Sequence, residues 1–100
     1  MTYVVRGEDG VITVSDAALT QIVVQAAESV EGARLRRRRR KLGLETDGSR
    51  ARVELGLLVE YGKVAPDVAR NVQQRVTAAL ASMCGLDVAA VDVSVEELYR

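Results

Sequence analysis

The segment Ala51–Tyr61, ARVELGLLVEY, alternates without a break. Val53, Leu55, Leu57, Val59 and Tyr61 fall on one side, and Arg52, Glu54, Gly56, Leu58 and Glu60 on the other. Side chains of a strand point alternately to opposite faces, so this pattern requires a sheet with one apolar face covered. The covering layer must come from elsewhere in the chain. Tyr61 continues the apolar row and is expected to point inward.

Two segments supply that layer. Ser15 suits a helix N-cap and Asp16 adds favourable charge in the first turn. Leu19, Ile22, Val23, Ala26, Ala27 and Val30 then repeat at helical spacing up to Gly32. Pro66 and Asp67 open a second helix, whose stripe of Val68, Val72, Val76, Ala79, Leu80 and Met83 stops at Gly85. Val11–Val14 is a short β-branched run after the turn-like GEDG, and Tyr3–Arg6 adds a strand before it. Val91, Val93 and Val95 alternate with Asp92, Ser94 and Glu96 in a closing strand. The expected order is β-α-β-β-α-β. That order describes an α+β two-layer sandwich, with two helices packed on one face of a small sheet. Residues 1–100 are expected to form one domain with its core in 10–95.

Between the first helix and the long strand lies ARLRRRRRKLGL (33–44). Arg34, Arg36, Arg37, Arg38, Arg39, Arg40 and Lys41 place seven cations in eight positions. The whole chain is neutral, with 14 basic and 14 acidic residues. The other 92 positions therefore carry 7 bases against 14 acids, a net of −7. This is a cationic segment on an acidic body, whereas a dedicated nucleic-acid binder usually has a basic background too.

A turn at Asp47-Gly48 would set Glu45 opposite Arg50, Leu42 opposite Val53 and Lys41 opposite Glu54. Continuing that register places Arg36, Arg38 and Arg40 on the face of Leu55, Leu57 and Val59. Burying unpaired charge costs several kcal/mol, comparable to the whole stability of roughly 5–15 kcal/mol. Leu35 is also out of phase with Leu42 and Leu44. A bulge or break is expected in the run, which belongs on an edge strand or a projecting hairpin.

Two stretches resemble a known family. In Tyr61–Val95 the features are the Tyr-Gly pair, the Val-Gln inside the helix, and Met-x-Gly-Leu-x-Val-x-x-Val-x-Val from Met83 to Val93. In Gly10–Ala33 they are the Gly-x-Ile-x-Val-Ser opening and the Val-x-Gly after the helix, with Ala33 where a Val is usual. Together these resemble the bacterial alkaline-shock, envelope-stress-response protein family. The resemblance implies a small, cytoplasmic, non-catalytic protein linked to the cell envelope through partners and self-association. The run at Arg36–Lys41 is more basic than the family pattern.

Catalytic chemistry finds little support. No histidine is present, which excludes Ser-His and Cys-His pairs and His-containing metal sites. A single cysteine, Cys84, allows no internal disulfide and suits a reducing compartment. GEDG imitates the Gly-x-x-Gly loop of KH nucleic-acid domains, but it precedes a strand and carries two acids. The longest uncharged stretches, Ala17–Ala27 and Val76–Leu86, are far shorter than the roughly 20 apolar residues of a membrane span.

The expectation is therefore a non-enzymatic oligomerising or adaptor protein of the envelope stress response. It needs no cofactor or metal and has no catalytic residues. Its contact surface would be Arg36, Arg37, Arg38, Arg39, Arg40 and Lys41. These would meet an acidic protein surface, such as a second copy or a partner at the membrane, or an anionic membrane surface. The location would be the cytoplasm, including the inner face of the cell membrane. The alternative is nonspecific RNA or DNA association through the same residues, with an inward Tyr61 leaving no aromatic for base stacking.

Overall fold

The computed structural model describes residues 3–7, 9–36 and 42–100, with side chains from residue 9 onward. The elements are β1 (Tyr3–Gly7), β2 (Gly10–Val14), α1 (Asp16–Glu28), β3 (Ala33–Arg34), β4 (Leu42–Asp47), β5 (Arg50–Glu60), α2 (Ala65–Cys84) and β6 (Asp87–Tyr99). The alternating segment is β5, and it is the centre of the main sheet. Ala51, Val53, Leu55, Leu57 and Val59 are all buried. β6 runs parallel along one edge of β5, while β3 and β4 run antiparallel to it and share the other edge. A parallel neighbour needs a long crossover, which α2 provides.

Both helices lie on the inner face, where Leu19, Val23 and Ala27 of α1 and Val68, Val72, Val76 and Leu80 of α2 complete an aliphatic core. The caps follow from sequence. The Ser15 hydroxyl accepts the Ala18 N–H at 3.2 Å. Gly85 takes a left-handed φ of 67° beyond the last turn of α2, where an L side chain would be strained.

Four details differ from the sequence expectation. First, the β4–β5 turn is Gly48-Ser49, so Leu42 faces Leu55, Leu44 faces Val53 and Glu45 faces Arg52. Moving the turn by one residue puts Gly48, with its φ of 61°, at the first turn position. The two-residue change in pairing preserves which face each side chain occupies.

Second, β1 and β2 form a hairpin of their own and, among the described residues, join no ladder of the main sheet. Third, Tyr61 is 59% exposed, because β5 ends at Glu60 and the chain turns there. Fourth, Met83 and Val95, which continue apolar stripes, are 67% and 40% exposed. Length explains Val95. Twenty helical residues of α2 span about 30 Å, whereas thirteen residues of β6 span about 43 Å. The strand outruns its cover, leaving Leu98 exposed as well.

Replacing Leu57, which is fully buried, with Ala is expected to cost about 2–5 kcal/mol. Met83→Ala should stay within about 0.5 kcal/mol. Gly32 has a φ of 86°, and an added Cβ would lie 3.0 Å from Lys63 Cγ. Gly32→Ala is therefore expected to cost about 1–2 kcal/mol. Urea midpoints of the three variants check this ranking.

Candidate interaction surface

The root of the basic run is well fixed. Ala33 pairs with Val59 and Arg34 with Leu58, closing β3 onto the far end of β5. Leu35 is only 2% exposed, and its N–H donates to Glu28 Oε2 at 3.2 Å. Alternation around Leu35 turns Arg34 and Arg36 outward, and both are exposed. The outer face of the sheet receives them. The Arg34 guanidinium lies 4.5 Å from the centroid of the Tyr99 ring. Arg36 forms an ion pair with Glu97 at 2.8 Å, between side chains 43% and 60% exposed. A pair this wet contributes at most about 1 kcal/mol and leaves the guanidinium open to competition.

Beyond Arg36 the run continues into Arg37, Arg38, Arg39, Arg40 and Lys41, which lie outside the described residues. Their flanks are informative. Arg34 faces Leu58 and Leu42 faces Leu55, so seven residues (35–41) correspond to only two on β5 (56–57). The register on this edge therefore shifts by five residues between Arg34 and Leu42, in agreement with the cost of continuing the β4 register to set arginines opposite Leu57 and Val59.

The same end of the sheet holds a second cation–aromatic contact and an ion pair. Arg100 stacks 4.6 Å from the Tyr61 ring centroid. Lys63 Nζ binds Glu31 Oε1 at 3.0 Å, and that hydrogen bond raises the lysine's pKa above its usual value. Sequence reasoning missed the contributions of Arg34, Tyr99 and Arg100. The register shift at Glu96 reverses the alternation of β6 and carries Tyr99 to the outer face beside Arg34, which the period-2 pattern of Val91, Val93 and Val95 does not announce.

The other half of the outer face has the opposite character. Glu54 sits between Gly43 and Asp92 in register, and Arg52 between Glu45 and Ala90. Glu54 and Asp92 line one shallow depression together with Ser94, and Glu45, Arg52 and Glu54 line another. No helix covers this face. The surface is thus uneven, with guanidinium groups and tyrosines beside Glu97 at one end, and Glu45, Glu54 and Asp92 around Arg52 at the other.

Catalytic and metal chemistry is not assembled here. Among the described residues no charged side chain is buried, and no three metal-ligating side chains cluster. Cys84 is half-buried at the end of α2, and burial pushes its thiol pKa upward, the wrong direction for a nucleophile. No described helix is long and apolar enough to cross a membrane.

Comparison with known proteins fits this picture. Solved structures of MamM CTD share the fold. A zinc form is 22% identical with a TM-score of 0.55, covering 81% of this chain and 84% of that one. A manganese form is 20% identical with a TM-score of 0.56, covering 83% and 99%. A copper form is 21% identical with a TM-score of 0.56, covering 83% and 98%. At such identities the likeness speaks for the fold alone. No curated protein matches the chain. A family model does match residues 33–100, from β3 to the end of β6, and its description is the alkaline shock protein 23 family, with cell envelope-related function. The chain belongs to that family.

Proposed function

We propose that this chain is a non-catalytic oligomerising or adaptor component of the envelope stress response. It works at the inner face of the cell membrane, and Arg36, Arg37, Arg38, Arg39, Arg40 and Lys41 form its contact surface. The observation that carries this reading is the seat of Leu35. Leu35 is buried between the outward Arg34 and Arg36, which fixes the start of the cationic segment to the core and supports a contact role for the residues that follow. An acidic protein surface is the first target, and the carboxylate end of another copy's sheet is one such surface. An anionic bilayer offers the same charge to the same residues. Each cation near such a bilayer adds about 1 kcal/mol.

One observation favours a second reading. Tyr61 is exposed and already holds an arginine on its ring, so an aromatic platform exists for a nucleic-acid base. The acidic body opposes that reading through its net charge of −7 outside residues 34–41.

Sedimentation of the purified chain across a salt series tests the first reading. Association is expected at low ionic strength and should weaken as salt rises; a monomer at both extremes overturns it. In flotation with anionic against zwitterionic vesicles, Arg38→Glu/Arg39→Glu is expected to lower anionic partitioning about thirty-fold, from two lost contacts of about 1 kcal/mol each. Equal recovery on both vesicle types removes the bilayer as a target. RNA retained in a gel shift at near-physiological salt, and released by Tyr61→Ala, would favour the second reading. Cys84, with its raised pKa, is expected to alkylate more slowly at neutral pH than a free cysteine in solution. A rate at or above that of the free thiol would reopen a catalytic role.

A further inference from the structure

We infer that the β1–β2 hairpin pairs with the open edge of β6 in a second copy of the chain. The inference deepens the self-association proposed above and rests on it, but uses a different surface. It starts from a mismatch between the hairpin and its surroundings. A lone two-stranded hairpin is marginal in water, and among the described residues this one joins no other strand. Val11 and Ile12 are neighbours in β2, so they point to opposite faces, yet they are 61% and 64% exposed. Both faces are apolar and both are bare. Such a strand has the composition of a sheet interior, where both faces are covered.

The complementary feature is the outer edge of β6. Among the described residues only β5 pairs with this strand, along eleven of its thirteen residues. Gln73 of α2 donates to the Val91 carbonyl at 3.0 Å, which marks Val91 as turned away from β5. By alternation Val93 and Val95 turn the same way. The Tyr99 carbonyl accepts the Tyr61 N–H at 2.6 Å and therefore faces β5, which leaves Leu98 outward beyond the register shift. Val95 and Leu98 are exposed because β6 outruns α2. Residues 93–99 contain no lysine or proline, the usual guards of a free edge.

The hairpin cannot reach this edge in its own molecule. Only Ser15 separates β2 from α1, so the hairpin is held at the start of α1. α1 packs on α2 and β3, while α2 lies over β6 and stands between them. The opposite edge is a poorer template, being divided into two residues of β3 and six of β4 with a register offset between them. Charge also selects β6. The hairpin strands contain Arg6 and no acid, whereas residues 93–99 contain Glu96 and Glu97 and no base. Donation of the hairpin of one copy to the β6 edge of the next is one-way and propagates a chain of subunits.

The test uses the full chain with Ile12→Lys, Val95→Lys and an equimolar mixture of the two. Both positions are exposed in the monomer, so unchanged urea midpoints are expected and certify that each variant folds. In sedimentation, each variant alone should associate about tenfold more weakly than the parent, because a lysine must enter the new junction. The mixture should recover association, since one variant keeps its β6 edge and the other its hairpin. Amide exchange of the parent should slow at Val93, Val95 and Leu98 as concentration rises. Association unchanged in both variants, or no recovery on mixing, overturns the inference. If Arg38→Glu/Arg39→Glu abolishes association while both lysine variants retain it, the hairpin contact falls and the cationic contact stands. The reverse pattern supports the hairpin contact and removes the cationic one.

Discussion

Burial of one face of β5 is the constraint on which the rest of the structure depends. Five alternate residues, Ala51 to Val59, are removed from water on the inner side. This requires helices on that side and strands on both edges. The outer side is left with Arg52, Glu54 and Glu60, which hydration satisfies. With no charged side chain buried among the described residues, the core contributes only aliphatic packing. Every group capable of specific recognition is therefore displaced to the outer face, the edges or the ends.

The register offset on the β3–β4 edge follows from the same constraint. A strand beside β5 must present alternating apolar residues to the core, and β4 does so with Leu42 and Leu44. β3 does so with Ala33, and Leu35 enters the core directly after it. Between them the sequence offers only cations, which cannot take inward positions at several kcal/mol each. The register on this edge gains five residues between Arg34 and Leu42, within the segment of the sequence that holds the cations.

Much of this was legible in the sequence. β5, α1 and α2 declare themselves because period 2 and period 3.6 are local patterns, with Ser15 and Gly85 marking ends. The register offset between Arg34 and Leu42 has its sequence signal in Leu35, which is out of phase with Leu42. The failures share a different cause. Asp47-Gly48 and Gly48-Ser49 are both acceptable turns, and both keep the same residues inward, so the apolar pattern cannot choose between them. Tyr61, Met83 and Val95 lie on apolar stripes, but exposure at the end of an element depends on where the facing layer stops. The independence of the β1–β2 hairpin is likewise a tertiary fact. Its short β-branched runs fit any sheet edge, and nothing local says which edge is available.

The division of the outer face has an electrostatic consequence. Arg34 faces Leu58, and Glu54 lies four residues back along β5 beside Asp92. That separation is about 13 Å along the strand, beyond the screening length of about 8 Å at physiological salt. The cationic and carboxylate regions are therefore largely independent, and an incoming partner meets each with its own sign. At low salt the screening length exceeds the separation, and the two regions partly cancel at a distance while remaining distinct at contact. The zero net charge of the chain is thus a poor guide to its behaviour. What a partner reads is set by which end of β5 it approaches, a spatial order established when the sheet forms.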